Sequence, residues 1–223
     1  MTPRSATMKL PAPRKLVVIG ASQGTGKAIV EEALARGHYV TAVSRNPSAL
    51  KLEHVKLTKA AADVTEPRTL DGLFEGAHAV LIALGTTIGA LRKDPTIFSR
   101  GTAHVLEAMR AAQVRRVIAL SSNGTGDSRN QIPFMLRWLV LDVLLKPAFV
   151  DHDRQEQILR ASTLDWTIAR PGRLSDGPAN KKYEVALGNQ KVPASISRAD
   201  VAHFMVSAAE DDALIGKTAA LGG

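Results

Sequence analysis

Leu16-Val17-Val18-Ile19-Gly20-Ala21-Ser22-Gln23-Gly24-Thr25-Gly26-Lys27 decides how the rest of the chain is read. An apolar, β-branched run stops at a cluster of glycines and restarts as Lys27-Ala28-Ile29-Val30-Glu31-Glu32-Ala33-Leu34-Ala35. The first part reads as a buried parallel strand and the last as an amphipathic helix. Gly20 permits a sharp exit from the strand, Gly24 lets a ligand approach the backbone, and Gly26 lets the helix lie close to the sheet. The helix N-terminus offers N–H groups and a positive dipole end to a pyrophosphate. With a strand before and a helix after, Gly20, Ser22, Gln23, Gly24, Thr25 and Gly26 form a candidate dinucleotide-binding turn. The other reading of the same glycines is a plain structural turn.

The next strand speaks to the choice of cofactor. Residues 38–45 follow Gly37, a good helix-ending residue, and read as strand two. In NAD-binding folds an acidic residue about 20 positions past the glycines takes the ribose hydroxyls. No Asp or Glu lies between Glu32 and Glu53, and the strand ends instead in Ser44-Arg45-Asn46. An arginine there pairs with a 2′-phosphate through its planar fork, and a serine donates to it. NADP(H) is therefore expected over NAD(H), with Ser44 and Arg45 as contacts.

Composition narrows the classes. The chain has 223 residues, 45% hydrophobic and 22% charged, which suits one soluble domain with a full core. There is no cysteine, so disulfide and thiolate chemistry are excluded. The histidines show no metal-ligand spacing, and no metal is expected. No apolar run approaches the ~20 residues of a membrane helix. The net charge is +8, but the basic residues are dispersed and aromatics are only 4%. A solvated basic surface around a polyanionic cofactor explains that charge without nucleic acid. Residues 1–14 are rich in proline and basic residues, lack a hydrophobic core segment, and are expected to be a disordered arm rather than a secretory signal. The expectation is a cytoplasmic protein, a monomer or weak homo-oligomer, acting on a small-molecule acceptor.

The rest of the chain keeps an α/β rhythm over residues 15–223. Strand three is expected at 54–57, then a helix at 66–74 capped by Asp63 or Thr65 with Pro67 in its first turn. Strand four at 77–84 ends at Gly85-Thr86-Thr87. A helix follows at 96–112. Strand five at 116–120 ends at Ser121-Ser122-Asn123-Gly124. Helices follow at 133–145 and 150–161. Strand six at 165–169 ends at Arg170-Pro171-Gly172-Arg173. Strands and helices alternating at this length imply a single-domain Rossmann fold: a doubly wound, mostly parallel sheet in the order 3-2-1-4-5-6, with helices on both faces. Ligands in such sheets sit beyond the carboxyl ends of the strands. The loops at 21–26, 44–45, 85–87, 121–123 and 171–173 should then line one cleft, which with Leu84 at the end of strand four adds Gly85, Thr86, Ser121 and Pro171 to the cofactor side.

The spacing Gly-x-x-x-Gly-x-Gly resembles that of the short-chain dehydrogenase/reductase superfamily. Typical members carry Tyr-x-x-x-Lys, the tyrosine acting as proton donor. Here Tyr39 is followed four residues on by Val43, and Tyr183 by Leu187, so the pair is absent. The chain instead resembles the atypical, NAD(P)H-binding branch: the biliverdin reductase B and flavin reductase group and the NmrA-like proteins. The matching segments are 18–26, Val43-Ser44-Arg45, Asp63-Val64, 151–162 running into 164–172, and 196–204, where Ser197 looks like the cap of the last long helix. The resemblance implies that Asp63 and Val64 also touch the cofactor. Arg173 departs from the group, whose reductases can carry a histidine there.

Each catalytic candidate has a functional reading and a bland one. Ser121 is placed like the serine that lines the reductase site, or is a loop serine capping backbone, with Ser122 as its adjacent rival. His152 matches a histidine near the group's substrate pocket and would polarise a carbonyl or relay a proton, or is an exposed histidine between Asp151 and Asp153. Ser122, Asn123 and Arg173 are substrate candidates, Arg173 through an anionic group or as a solvated cation. Residues 183–187 and 190–192 read as a hairpin across Gly188-Asn189. Residues 123–150 and 171–197 are expected to cover the substrate. The leading function is NADPH-dependent hydride transfer to a flavin-like or other planar conjugated acceptor. A redox sensor or regulator with little turnover is the second reading, and an epimerase or dehydratase using bound NADP+ the third.

Overall fold

Strand β1, Lys15–Ile19, lies at the middle of the sheet and pairs in parallel with β2, Tyr39–Ser44, on one side and β4, Ala79–Ile82, on the other. Strand β3, Leu57–Ala61, adds outside β2. On the other side follow β5, Arg116–Leu120, and β6, Asp165–Pro171. The computed structural model describes residues 12–126, 146–188 and 190–223. Within them, three more strands follow in sequence: β7, Arg173–Ser175; β8, Glu184–Ala186; and β9, Ser195–Ser197. The last strand, β10, is Lys217–Gly222. The main sheet runs β3-β2-β1-β4-β5-β6-β10-β8, the expected order extended by two strands, the last of them antiparallel. Strands β7 and β9 form a small parallel pair beside it.

Period-two alternation gives the sheet two apolar faces. Leu16 and Val18 face the side covered by α1, Gly24–Ala35, and α5, Arg198–Glu210, where Ile29, Val30, Val201 and Met205 complete one core. Val17 and Ile19 face the side covered by α3, Ile97–Ala111, and α4, Lys146–Ala161, with Leu106, Met109 and Leu159. The short helix α2, Ile88–Lys93, precedes α3. Strands buried on both faces explain why 16–19 and 79–82 are uninterrupted apolar runs. Among the described residues no helix is long and apolar enough to cross a membrane.

Three local expectations are corrected. Strand three lies at Leu57–Ala61, not at 54–57: residues 54–57 form a turn closed by Leu57 N–H to His54 O, and Val55 is 97% exposed. As an edge strand, β3 needs only partial burial, so Thr58 and Lys59 are tolerated in it. The helix expected at 66–74 is a single 3₁₀ turn, Pro67–Leu70. Gly72 and Gly76 adopt φ of +73° and +66°, which a helix cannot hold, and the Asp63 carboxylate is spent accepting from the Thr65 N–H and hydroxyl. Strand β8 pairs with β10, with Ala186 opposite Ala220, instead of closing a hairpin with 190–192. Burial of Ala186 against β10 decides that pairing. The helix expected at 133–145 falls outside the described residues.

Two polar contacts lock the helices to the sheet and to each other. Arg36, after α1, donates to Glu32 and Glu210, both at 2.7 Å. Buried His38 accepts the Arg14 N–H at Nδ1, which leaves Nε2–H to donate to Glu210 at 2.8 Å. On the opposite face Asp151, fully buried on α4, accepts from Phe98 N–H at 2.7 Å and from the Ser99 hydroxyl at the start of α3. A carboxylate from one helix thus caps another and answers its positive end. Asp151→Ala should destabilise the chain by about 1–3 kcal/mol because it leaves those donors buried and unmet. Urea unfolding measures this, and Asp151→Asn should lose less; an Ala variant as stable as the parent would remove the cap from the account.

Candidate functional site

The three glycines of the first turn have different surroundings. A Cβ on Gly20 would stand 2.3 Å from Ala83 O, and one on Gly26 would stand 2.1 Å from Gly20 O. Both positions therefore hold backbone against backbone. A Cβ on Gly24 would meet only the Arg198 side chain, at 3.7 Å from Nε. Gly20 at φ +81° and Gly24 at φ +55° sit in the left-handed region. Helix α1 starts at Gly24 with no side-chain cap and no acid in its first turn, and Lys27 N–H is the first to bond back, to Gln23 O. Gln23 and Gly24 are exposed, Ser22 is partly buried, and Thr25 and Gly26 are buried. An uncapped N-terminus with an open glycine at its edge fits a pyrophosphate.

The neighbouring strand ends come together around this turn. Gly20 and Ala21 N–H both donate to Val43 O, at 2.9 and 3.1 Å, so the end of β2 abuts the turn and carries Ser44 and exposed Arg45 beside it. Arg45 has no ion pair among the described residues. Ala62 N–H donates to Ser44 O, which brings Asp63 and Val64 to the same edge. Leu84 Cα lies 3.4 Å from the Cβ position of Gly20. Gly101 of α3 fits against both Val64 and Leu84, where a Cβ would approach within 2.7 and 3.1 Å. His104 Nδ1 donates to Val64 O at 2.7 Å and holds that segment in place. Gly85 and Thr86 are exposed beyond β4.

A second group sits at the ends of β5 and β6. Ser121 N–H bonds Ala169 O and Asn123 N–H bonds Pro171 O, both at 2.8 Å, so Ser121, Ser122, Asn123 and Pro171 form one ledge. The Ser121 hydroxyl donates to Glu156 Oε1 at 2.6 Å. That carboxylate also takes the Arg170 fork, at 2.8 and 2.7 Å, and Arg160 at 2.7 Å. Burial pushes the Glu156 carboxyl up, but the Arg170 fork, the Ser121 hydroxyl and Arg160 together hold it below its ordinary value. The pair is buried and bidentate, and neither Glu156 nor Arg170 was marked by the sequence reading. Among the described residues, Asn123 Oδ1 is buried with no hydrogen-bond partner. Arg173, at the start of β7, is exposed and stands apart from the ledge's hydrogen bonds.

His152 is partly buried on α4, its ring stacked on Phe98 at 4.1 Å. Gln155 donates through Nε2 to Thr102, so its Oε1 accepts from His152 Nδ1–H at 2.8 Å. Nε2 of the neutral ring is then the basic nitrogen. Burial lowers the His152 pKa, against smaller raising effects from Gln155, Asp151, Glu156 and Asp153. At neutral pH the ring can accept a proton and has none at Nε2 to give. Of the two tyrosines, Tyr39 begins β2, at the end of the sheet away from these loops. Tyr183 Oη is bonded to His203 Nδ1 at 2.7 Å, and burial pushes its pKa up to about 12.

Burial also lowers the pKa of His78 and His203. A histidine whose folded pKa lies below its ordinary value of 6.5 binds protons more readily in the unfolded chain. Stability should therefore be full above about pH 6.5 and fall as the solution is acidified from there, by up to about 1.4 kcal/mol per pH unit for His152, with exposed His78 and half-buried His203 contributing less because solvent screens them. His152→Gln should flatten the fall between pH 6.5 and 5.5, as read from urea midpoints. An unchanged slope would show that His152 does not titrate with unfolding.

The chain is similar to known proteins over most of its length. It is 29% identical over 206 residues to an uncharacterised chloroplastic protein of Arabidopsis thaliana, covering 87% of this chain and 71% of the relative. Its fold matches the anaerobilin reductase ChuY of Escherichia coli O157:H7 with a TM-score of 0.78 at 23% identity, covering 93% of this chain and 96% of that one. It also matches a short-chain dehydrogenase/reductase of Veillonella parvula solved in complex with NADP, with a TM-score of 0.76 at 21% identity over 94% of both chains. A family model described as NAD(P)H-binding matches residues 20–212. That span begins at the first glycine of the turn and takes in the ends of β2, β4, β5 and β6 that meet around it, and the chain belongs to this family of NAD(P)H-binding proteins.

Proposed function

We propose that the chain is an NADPH-dependent reductase of a planar conjugated acceptor, flavin-like in its chemistry. The observation that carries this reading is the ledge at the ends of β5 and β6. Among the described residues it presents hydrogen-bond acceptors and no acid: the Ser121 proton is committed to Glu156, His152 is neutral, and Asn123 Oδ1 is unpaired. NADPH, when bound, would supply the hydride. The turn at 20–26, with Ser44, Arg45, Asp63, Val64, Leu84, Gly85 and Thr86, would hold its phosphates and adenosine. Ser121 and Pro171 would flank the nicotinamide. Asn123, with Ser122, would orient the acceptor by taking an N–H from its edge, and Arg173 would reach an anionic substituent. His152 would serve as a base or in positioning. Orientation is then the protein's main contribution, and the proton comes from water. One fold relative is named as a reductase of anaerobilin, which supports an extended acceptor. A redox sensor with little turnover is the rival, since it too needs no acid.

NADPH consumption with riboflavin and with 3-methylriboflavin tests the acceptor side. Turnover is expected with both, faster with the N–H-bearing flavin, and Asn123→Ala should erase that difference. Cofactor binding without turnover on any flavin or tetrapyrrole would favour the sensor. On the cofactor side, Arg45→Ala should cost the preference for NADPH over NADH about ten- to a hundredfold, the worth of one charge-assisted bond of roughly 1.5–3 kcal/mol. Equal affinities in the parent would overturn the assignment of Arg45.

The glycines separate cradle from scaffold. Gly24→Ala adds a methyl where the protein has room, at a backbone strain of about 1–2 kcal/mol. It should fold, melt a few degrees lower, and lose cofactor binding. Gly26→Ala forces a Cβ onto Gly20 O and should fail to fold. Calorimetric titration beside a thermal melt distinguishes them; a Gly24→Ala chain that binds NADPH like the parent would count against the cradle.

A further inference from the structure

Helix α1 has an uncapped N-terminus, and its own basic side chain, Lys27, is turned along the helix toward Glu31. Lys27 Nζ is paired with Glu31 at 2.7 Å along the helix. The cation that overhangs the turn comes from elsewhere. Arg198, the first residue of α5, lays its side chain along the open face of Gly24, with Nε at 3.7 Å and Cδ at 4.0 Å from the glycine's Cβ position. Its Nη1 donates to Asp176 Oδ1 at 2.6 Å. Asp176 is 93% exposed and follows β7, 22 residues before its partner. The two helices pack against each other, and Ser197 caps α5 by accepting from Asp200 N–H at 2.9 Å, which anchors the residue just before Arg198. The stem of Arg198 is thus fixed while its fork reaches a solvent-exposed carboxylate.

We propose that Arg198 is the cation that grips the cofactor's pyrophosphate over Gly24, and that Asp176 occupies the guanidinium until the phosphates displace it. The proposal rests on the membership in the NAD(P)H-binding family and goes beyond it by naming the gripping residue and its competitor. The fork geometry of arginine suits two phosphate oxygens as well as two carboxylate oxygens. An exposed ion pair holds its partners weakly, so exchange for a more highly charged group beside a helix N-terminus runs downhill. Position decides which phosphate is meant. Arg45 stands at the end of β2, where a 2′-phosphate would lie; Arg198 stands over the glycine turn, where the pyrophosphate common to NADPH and NADH would lie. Release of Asp176 would also loosen one tie of the segment between β7 and β8, which stays held where Lys181 N–H donates to Asp200 Oδ1 at 2.8 Å.

Calorimetric titration of the full chain with NADPH and with NADH tests this. Arg198→Gln should weaken both cofactors by the same factor, about ten- to a hundredfold, with the apo melting temperature nearly unchanged because the lost pair is exposed. Asp176→Asn should tighten both severalfold, and should have no effect when Arg198 is already Gln. Loss confined to NADPH would move Arg198 to the 2′-phosphate and overturn the proposal. So would unchanged affinities in Arg198→Gln, or an Asp176→Asn gain that persists in the double variant. A parent chain that bound neither cofactor would remove the cofactor site and this proposal together. A parent that bound both, with an indifferent Arg198→Gln, would remove this proposal alone.

Discussion

The structure depends on one close approach of backbone to backbone. Gly26 presses α1 onto the carbonyl of Gly20, and Gly20 presses the end of β1 onto the carbonyl of Ala83. Any side chain at either position would push helix, central strand and β4 apart. Because β1 lies between β2 and β4, this contact sets how the ends of those two strands meet the start of α1. It places the N–H groups of α1, the end of β2 and the end of β4 around one point. The left-handed backbone at Gly20 then turns the chain out of the sheet at the only place where α1 can begin so close to it. The third glycine is free of that constraint, and its open face is what remains for a ligand.

What was legible in the sequence follows burial. Strands β1, β4 and β5 are covered on both faces and are apolar after the leading Lys15 of β1 and Arg116 of β5, so their residues announce them. The edge strand β3 and the short β8 are covered less and paired on one side, so Leu57–Ala61 and Glu184–Ala186 carry no comparable pattern. The stretch at 66–74 has helix-like residues, but Gly72 and Gly76 and the local bonding of Asp63 override them. In the site, the loops were legible because strand ends can be found. Their partners were not. Glu156 meets Ser121 and Arg170 from another element, Asp151 reaches Phe98 across 53 residues, and Arg198 reaches Gly24 from the other end of the chain. No spacing rule encodes such meetings; they exist only once the sheet order is set.

The distribution of charge repeats this division. Away from the cleft, cations are consumed by the scaffold: Arg36 by Glu32 and Glu210, and Arg116 by the Thr167 hydroxyl and the carbonyls of Asp165 and Ala208. Burial lowers the Arg116 pKa, against the raising effect of nearby aspartates, and its Nε has no partner, so its role is to hold β5, β6 and α5 together. Around the turn, Arg45 is exposed, and Arg198 is met, among the described residues, by an exposed aspartate. Arg45 and Arg198 thus give the turn local positive charge, although the chain's net charge of +8 is dispersed along the sequence.

The buried pair of Glu156 and Arg170 limits the chemistry available at the cleft. Breaking such a pair would strand a charge, so Glu156 stays ionised and keeps its hold on the Ser121 proton. Ser121 can then accept a hydrogen bond but not give one at the same time. His152, neutral and tied through Nδ1, is limited in the same direction. A ketone accepting hydride builds charge on oxygen and needs an acid at that moment, which is the task of the tyrosine that typical short-chain enzymes carry. A conjugated acceptor spreads the same charge over its own ring system and can wait for a proton from water. The scaffold that fixes Ser121 thus selects, on the proposed reading, the acceptors that can do without a donor. On the same reading, the ledge's unpaired Asn123 Oδ1 would orient them.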